Sequence, residues 1–131
     1  MKTLKILFSV FAFSIFAFSC SSDDDNSTKV KYEIVGLDNT VTEIKYKKGN
    51  GSIETVTDFE AFAGGGDSKT VSVSTFPFDA DLEVTVNNVT SASKTYTLVI
   101  YVDGEAMDFT PFVVPANATV TSTVDFLIES D

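Results

Sequence analysis

Few side chains in these 131 residues can do covalent chemistry: there is one cysteine, Cys20, and no histidine. Cys20 stands where an apolar leader stops and an acidic run begins, in Ala17-Phe18-Ser19-Cys20-Ser21-Ser22-Asp23-Asp24-Asp25. Before it, Lys2 and Lys5 form a positive n-region and Ile6 to Phe18 an apolar h-region broken only by Ser9 and Ser14. Small residues at Ala17 and Ser19 then suit a signal peptidase. The apolar run is short for a bilayer-crossing helix, which needs roughly 20 residues, and no basic stop-transfer cluster follows it. Residues 1–19 are therefore expected to be a helical signal peptide, and cleavage leaves Cys20 at the new N-terminus. A lone thiol has no internal disulfide partner, and in an oxidising compartment it needs another fate.

The same residues resemble a lipobox, in which the cysteine sulfur is diacylated and the peptide bond before it is then cut. Ser19 fits that pattern. The run Ser21-Ser22-Asp23-Asp24-Asp25 is similar to the acidic export signal of Bacteroidota lipoproteins. That likeness implies attachment to the cell outer membrane, on its outer face, through fatty-acyl chains of the palmitate kind on Cys20. At about 0.8 kcal/mol per buried methylene, one acyl chain binds reversibly and two or three hold permanently for practical purposes. The other reading of the site is ordinary cleavage after Ser19, which would leave a soluble chain with a solvated acidic linker.

Acidic side chains are the next candidates. Asp79-x-Asp81-x-Glu83 sets three carboxylates on one side of a strand entry, and hard oxygen ligands of this kind can hold calcium. Carboxylates two apart are also the ordinary outer face of a strand whose inner face carries Leu82, Val84 and Val86. Asp103 and Glu105 flank a hairpin, where Asp is favoured for backbone reasons. Nothing in the spacing selects an acid and base pair of the glycosidase type. Without histidine or a second cysteine, the usual zinc, copper, haem and iron–sulfur ligand sets are missing, as is the commonest general base. The expectation is a non-enzymatic protein with no metal site and no cofactor.

Phenylalanines make a second set. Phe59, Phe62, Phe76, Phe78, Phe109 and Phe112 fall in or beside loops, near Pro77, Pro111 and Gly64-Gly65-Gly66. Exposed aromatics on a rigid scaffold grip partners, which makes these six the candidate partner-binding residues. The competing reading is that they cap the open ends of a core. Phenylalanine also lacks the polar handle that suits Tyr and Trp to sugar stacking. Four Asn-x-Ser/Thr sequons, at Asn26, Asn50, Asn88 and Asn117, read as a composition rich in those residues.

The elements that must position these groups are strands. Residues 20–28 carry no apolar residue and read as an acidic flexible tether. From residue 29 to 131 apolar and polar residues alternate with period two. Val30, Tyr32 and Ile34 share a face; Val41 to Lys47 and Ile53 to Thr57 flank Gly49-Asn50-Gly51, where Asn-Gly tolerates the positive φ of tight turns. Asp58 to Lys69 reads as a long loop. A fourth strand carries Val71 and Val73 into Phe76-Pro77-Phe78, and a fifth carries Leu82, Val84 and Val86. Thr95 to Val102 is apolar on both faces, as a central strand should be. Asp103-Gly104 turns into Ala106 to Phe109, and Val120 to Ile128 closes the chain. These signals predict an all-β fold, an immunoglobulin-like antiparallel β-sandwich of seven or eight strands.

Several blocks carry a resemblance. Val30-Lys31-Tyr32-Glu33-Ile34-Val35-Gly36, Thr42-Glu43-Ile44-Lys45-Tyr46, Asp81-Leu82-Glu83-Val84-Thr85-Val86-Asn87-Asn88 and Tyr96-Thr97-Leu98-Val99-Ile100-Tyr101-Val102-Asp103-Gly104 resemble the MmpS family of small membrane-anchored sandwich proteins. Members studied in mycobacteria are accessory partners of RND-type exporters, so the resemblance implies an envelope protein as partner.

Charge narrows the partners further. The chain holds nine lysines and no arginine against 19 acidic residues; loss of Lys2 and Lys5 with the leader leaves seven lysines and a formal charge of −12. That balance opposes nucleic acid and anionic head groups. The expected function is a lipid-anchored interaction or accessory module of the cell envelope, serving a transport complex by analogy. The alternative is a surface lipoprotein that captures a glycan or another nutrient.

Overall fold

The computed structural model describes residues 27–58, 62 and 67–130. The leader, Cys20 with Ser21, Ser22, Asp23, Asp24 and Asp25, the candidate Phe59 and the Gly64-Gly65-Gly66 run lie outside the described residues. Among the described residues no helix is long and apolar enough to cross a membrane.

Among the described residues, eight antiparallel strands form two four-stranded sheets packed as a β-sandwich. They are β1 (Thr28–Val35), β2 (Val41–Lys47), β3 (Ile53–Val56), β4 (Ser68–Val73), β5 (Phe78–Asn88), β6 (Lys94–Val102), β7 (Glu105–Val114) and β8 (Ala118–Ile128). One sheet has the order β4-β1-β6-β7 and the other β3-β2-β5-β8. Only β2–β3 and β6–β7 are hairpins within a sheet; every other connection crosses between sheets. β1 and β6 are thus central in one sheet, and β2 and β5 in the other.

Alternation fixes which face each residue takes, because successive side chains on a strand point opposite ways. Val30, Tyr32 and Ile34 of β1, Leu98 and Ile100 of β6, and Leu82, Val84 and Val86 of β5 are fully buried between the sheets. Each such side chain contributes about 1.5–3 kcal/mol, against about 1 kcal/mol net for a typical hydrogen bond, so the inner faces hold the sandwich together. Tyr32 keeps a polar end in that core by donating its hydroxyl to the Lys47 carbonyl at 2.7 Å. Burial is the main reason its phenol titrates far above the ordinary tyrosine range. Tyr46 and Phe62 stack beside it edge to face, with ring centroids 5.7 Å apart.

Three elements differ from the sequence reading. Strand β4 ends at Val73, and Phe78 opens β5 instead of closing the strand before it. Strand β7 runs on through Pro111 to Val114. Proline is tolerated there because β7 is an edge, with only β6 beside it. At the β2–β3 turn Gly51 takes the positive φ, 88°, and Asn50 does not. Asn50 instead accepts from the Ser52 amide at 3.0 Å and from the Ser52 hydroxyl at 2.7 Å. The Asp103-Gly104 hairpin has both central residues at positive φ, 49° and 86°, as a two-residue hairpin with the strand twist requires.

Candidate functional site

Strand β7 carries the candidate surface. Its register with β6 pairs Phe109 with Val99, Pro111 with Thr97 and Val113 with Thr95. Leu98 and Ile100, on either side of Val99, point into the core, so Val99 and its partners face outward. Phe109 is 64 % exposed and Val113 57 % exposed. Val99 is outward yet only 7 % exposed, set between Glu33 of β1 and Phe109 of β7 in register. The next row up holds Tyr101 and Ala106, and the next row down Val35, Thr97 and Pro111. The outward residues that the register sets in rows here, Tyr101, Ala106, Val99, Phe109, Thr97, Pro111, Thr95 and Val113, are uncharged, and the exposed Asp108 stands at the bulge beside Phe109.

On the β1 side the charge is already engaged. The Tyr101 hydroxyl donates to Glu33 at 2.8 Å, and the Lys31 ammonium lies 4.2 Å from the centre of the Tyr101 ring. Glu33 is the main cause of the raised Tyr101 pKa. The edge itself is blunted: the Phe109 amide donates to Asp108 Oδ1 at 2.8 Å, and Pro111 has no N–H. A bulge between Ile100 and Tyr101 in the register, at Met107, adds to this. Such features oppose addition of another strand and leave the face as the usable surface.

The six candidate phenylalanines separate in the structure. Phe62 and Phe78 are core residues and offer nothing to a partner. Phe112 is half-buried in β7 and stacks on Tyr96 with ring centroids 5.4 Å apart. Phe76 is half-buried beside a groove of about 350 Å³ at the end of the sandwich where β1 begins, bordered also by Asp103 and Glu129. Phe109 alone among the described candidates stands well out into solvent. Phe109 and Phe112 lie within β7, which runs past the strand end expected at Phe109, and Phe78 opens β5 beside a loop. Pro111 reads as a break, so the sequence ends the strand at Phe109 where β7 continues to Val114. Pro111 and Val113 are absent from the candidate residues for the same reason, although Phe109-x-Pro111-x-Val113 already alternates; Val99 reads only as part of a central strand.

The opposite face is acidic. Asp79, Asp81 and Glu83 do line up on the outer side of β5, with Asp125 of β8 across from Asp81. Asp81 Oδ1 is buried without a hydrogen-bond partner. Burial first, then Asp125 and Asp79, raise the Asp81 pKa. A shallow groove of about 290 Å³ runs between Lys45, Ile53, Asp81 and Glu83. Among the described residues no group of three or more acidic side chains converges closely enough to hold a metal ion. Asp103 serves the fold: it accepts from the Lys29 amide through Oδ1 at 2.9 Å and donates its own amide to the Lys29 carbonyl at 2.8 Å.

Two polar clusters fix the other end of the sandwich. Asp38 accepts from the Lys94 ammonium at 2.7 Å, from the Tyr96 hydroxyl at 2.9 Å and from the amide and hydroxyl of Thr40. Burial pushes its pKa up, but these donors outweigh it and the net shift is downward. Asn88 is fully buried and donates through Nδ2 to the carbonyls of Ala92, Val114 and Pro115. Its Oδ1 accepts from the amide and hydroxyl of Thr90. The sequon at Asn88 is thus a structural joint between the β5–β6 and β7–β8 connections.

No protein-family model matches the chain. A search of curated proteins gives no match either.

Proposed function

We propose that this chain is a lipid-anchored, non-enzymatic interaction module of the cell envelope, held by acylated Cys20 and engaging a protein partner through the outer face of β6 and β7. The observation that carries the reading is Phe109, 64 % exposed on a rigid strand, in line with the uncharged Pro111 and Val113. A large apolar side chain held in the open by a strand costs solubility unless something covers it, and aromatic residues are the anchors of interfaces. Outer-membrane attachment at the cell surface follows from the likeness of Ser21-Ser22-Asp23-Asp24-Asp25 to a surface-export signal. Membership of an envelope transport complex follows from the likeness to MmpS proteins.

A photo-crosslinking side chain at position 109 in living cells tests the surface. The reading expects a discrete protein adduct from position 109 and none from position 127, on the acidic face. Adducts from position 76 alone would move the binding site to the end groove and favour capture of a glycan or nutrient.

A further inference from the structure

The turn between β2 and β3 brings together the groups that one covalent change requires. We propose that Asn50 is a site of spontaneous deamidation in the folded protein: the Gly51 nitrogen closes on the Asn50 side chain, ammonia leaves, and water opens the resulting succinimide to aspartate and isoaspartate.

The residue after an asparagine decides whether its peptide nitrogen can be reached. Of the asparagines, only Asn50 is followed by glycine; the others precede Ser27, Thr40, Asn88, Val89 and Ala118. Glycine puts no side chain between the nitrogen and the amide. A Cβ at Gly51 would meet nothing within 4 Å, and Asn50, Gly51 and Ser52 are all exposed, so solvent base reaches this nitrogen from outside. The shape of the turn adds a second condition. Asn50 Oδ1 accepts from the Ser52 amide at 3.0 Å and from the Ser52 hydroxyl at 2.7 Å, an Asx turn that folds the side chain back over the Gly51 peptide. Asn50 Cγ is thereby held beside the Gly51 nitrogen, and much of the succinimide ring is in place before any bond forms. Negative charge develops on Oδ1 as the nitrogen adds to Cγ. The Ser52 donors already point at that oxygen and strengthen as it charges, as in an oxyanion hole.

The steps balance with water alone. The Gly51 N–H gives its proton to hydroxide, the N–Cγ bond forms, and the Cγ–Nδ2 bond breaks as water protonates the leaving ammonia. A second water then adds at either imide carbonyl. The Gly51 amide proton is held by the Lys48 carbonyl at 2.9 Å and must leave that bond first, so the rate rises with pH. Opening at one carbonyl gives aspartate at position 50; opening at the other routes the main chain through the side chain and lengthens the turn by a methylene. The turn has no slack for that, since a Cβ at Gly49 would already lie 1.8 Å from the Ser72 carbonyl oxygen.

Purified protein held in mildly alkaline buffer, native and in urea, is followed by mass spectrometry of its peptides, with isoaspartate labelled by an isoaspartyl methyltransferase. In the native protein, conversion of amide to acid is expected at position 50 ahead of positions 39, 87, 88 and 117, with both acid products formed and the rate rising with pH. Ser52→Ala removes the hydroxyl donor and keeps the backbone amide; with folding checked by circular dichroism, it should slow the native reaction roughly fivefold, the worth of one hydrogen bond that strengthens with charge. Ser52→Thr keeps the hydroxyl and should keep the rate. In urea, where the turn is gone, Ser52→Ala should make little difference. A native position 50 that stays intact while the urea sample converts would show that the turn protects Asn50, and would overturn the proposal. A native rate equal or faster in Ser52→Ala would overturn it as well, because the turn would then lend the reaction nothing.

Discussion

At the scale of single residues, two buried polar groups behave in opposite ways. Asn88 satisfies its environment completely, joining two connections through Ala92, Val114, Pro115 and Thr90. Replacing it with alanine strands several carbonyls at once, and each orphaned group costs about 1–3 kcal/mol. Asn88→Ala is therefore expected to destabilise the domain by roughly 3 kcal/mol, measured by urea unfolding. Asp81 is the reverse case, with a buried oxygen that nothing satisfies and two further acids beside it. Its pKa is higher folded than unfolded, so the stabilisation from its protonated form is full below the unfolded value, about 3.9, and lost as pH rises through the folded one. Asp81→Asn should raise the thermal midpoint at pH 7, with the gain vanishing below about pH 4, where the wild-type group is protonated in both states. Asp38 has the opposite sign: its folded pKa is depressed, so its contribution is present above about pH 3.9 and lost as pH falls through the folded value. Asp38→Asn should accordingly flatten the acid limb of the stability curve, followed by circular dichroism as the pH falls below about 4.

At the scale of elements, the β2–β3 hairpin shows how a glycine can be required by a neighbour. A Cβ at Gly49 would lie 1.8 Å from the Ser72 carbonyl oxygen of β4, closer than any real contact. Gly49→Ala must push the hairpin off β4 and is expected to cost about 2–3 kcal/mol, by the same physics as overpacking a core. Gly51→Ala has open space around it, so its cost is confined to the positive φ. Most strands were legible in the sequence because period-two alternation marks a half-buried strand, and β6 was legible as central from its two apolar faces. What was not legible shares one cause: the same residue type does different work at an edge, in a core and in a loop. Pro111 signals a break in a central strand and is harmless in an edge one. Asn88 reads as one sequon of a composition rich in Asn, Ser and Thr and is a buried joint. Phe62 and Phe78 read either as partner-binding aromatics or as caps of the core, and their burial in the core decides for the second. The outward row of Phe109, Pro111 and Val113 could have been found from its alternation once the proline was allowed to stay in a strand.

At the scale of the whole molecule, the two outer faces of the sandwich differ in kind. One is acidic along β5 and β8; the other is mostly apolar or neutral along β6 and β7, with Asp108 at the bulge. Strand β1 starts at Thr28, and its Lys29 is bonded to Asp103 at the β6–β7 hairpin. The eight residues from Cys20 to Ser27 can extend at most about 3.3–3.6 Å each, so an acylated Cys20 would hold that hairpin end within roughly 30 Å of the bilayer. All of this placement depends on the chemistry of one sulfur atom. Intact mass of the protein extracted from native membranes, combined with protease shaving of whole cells, reads that chemistry most directly. The account predicts a mass equal to residues 20–131 plus two or three acyl chains, with the domain released by shaving. An unmodified Cys20 in a soluble fraction would contradict it.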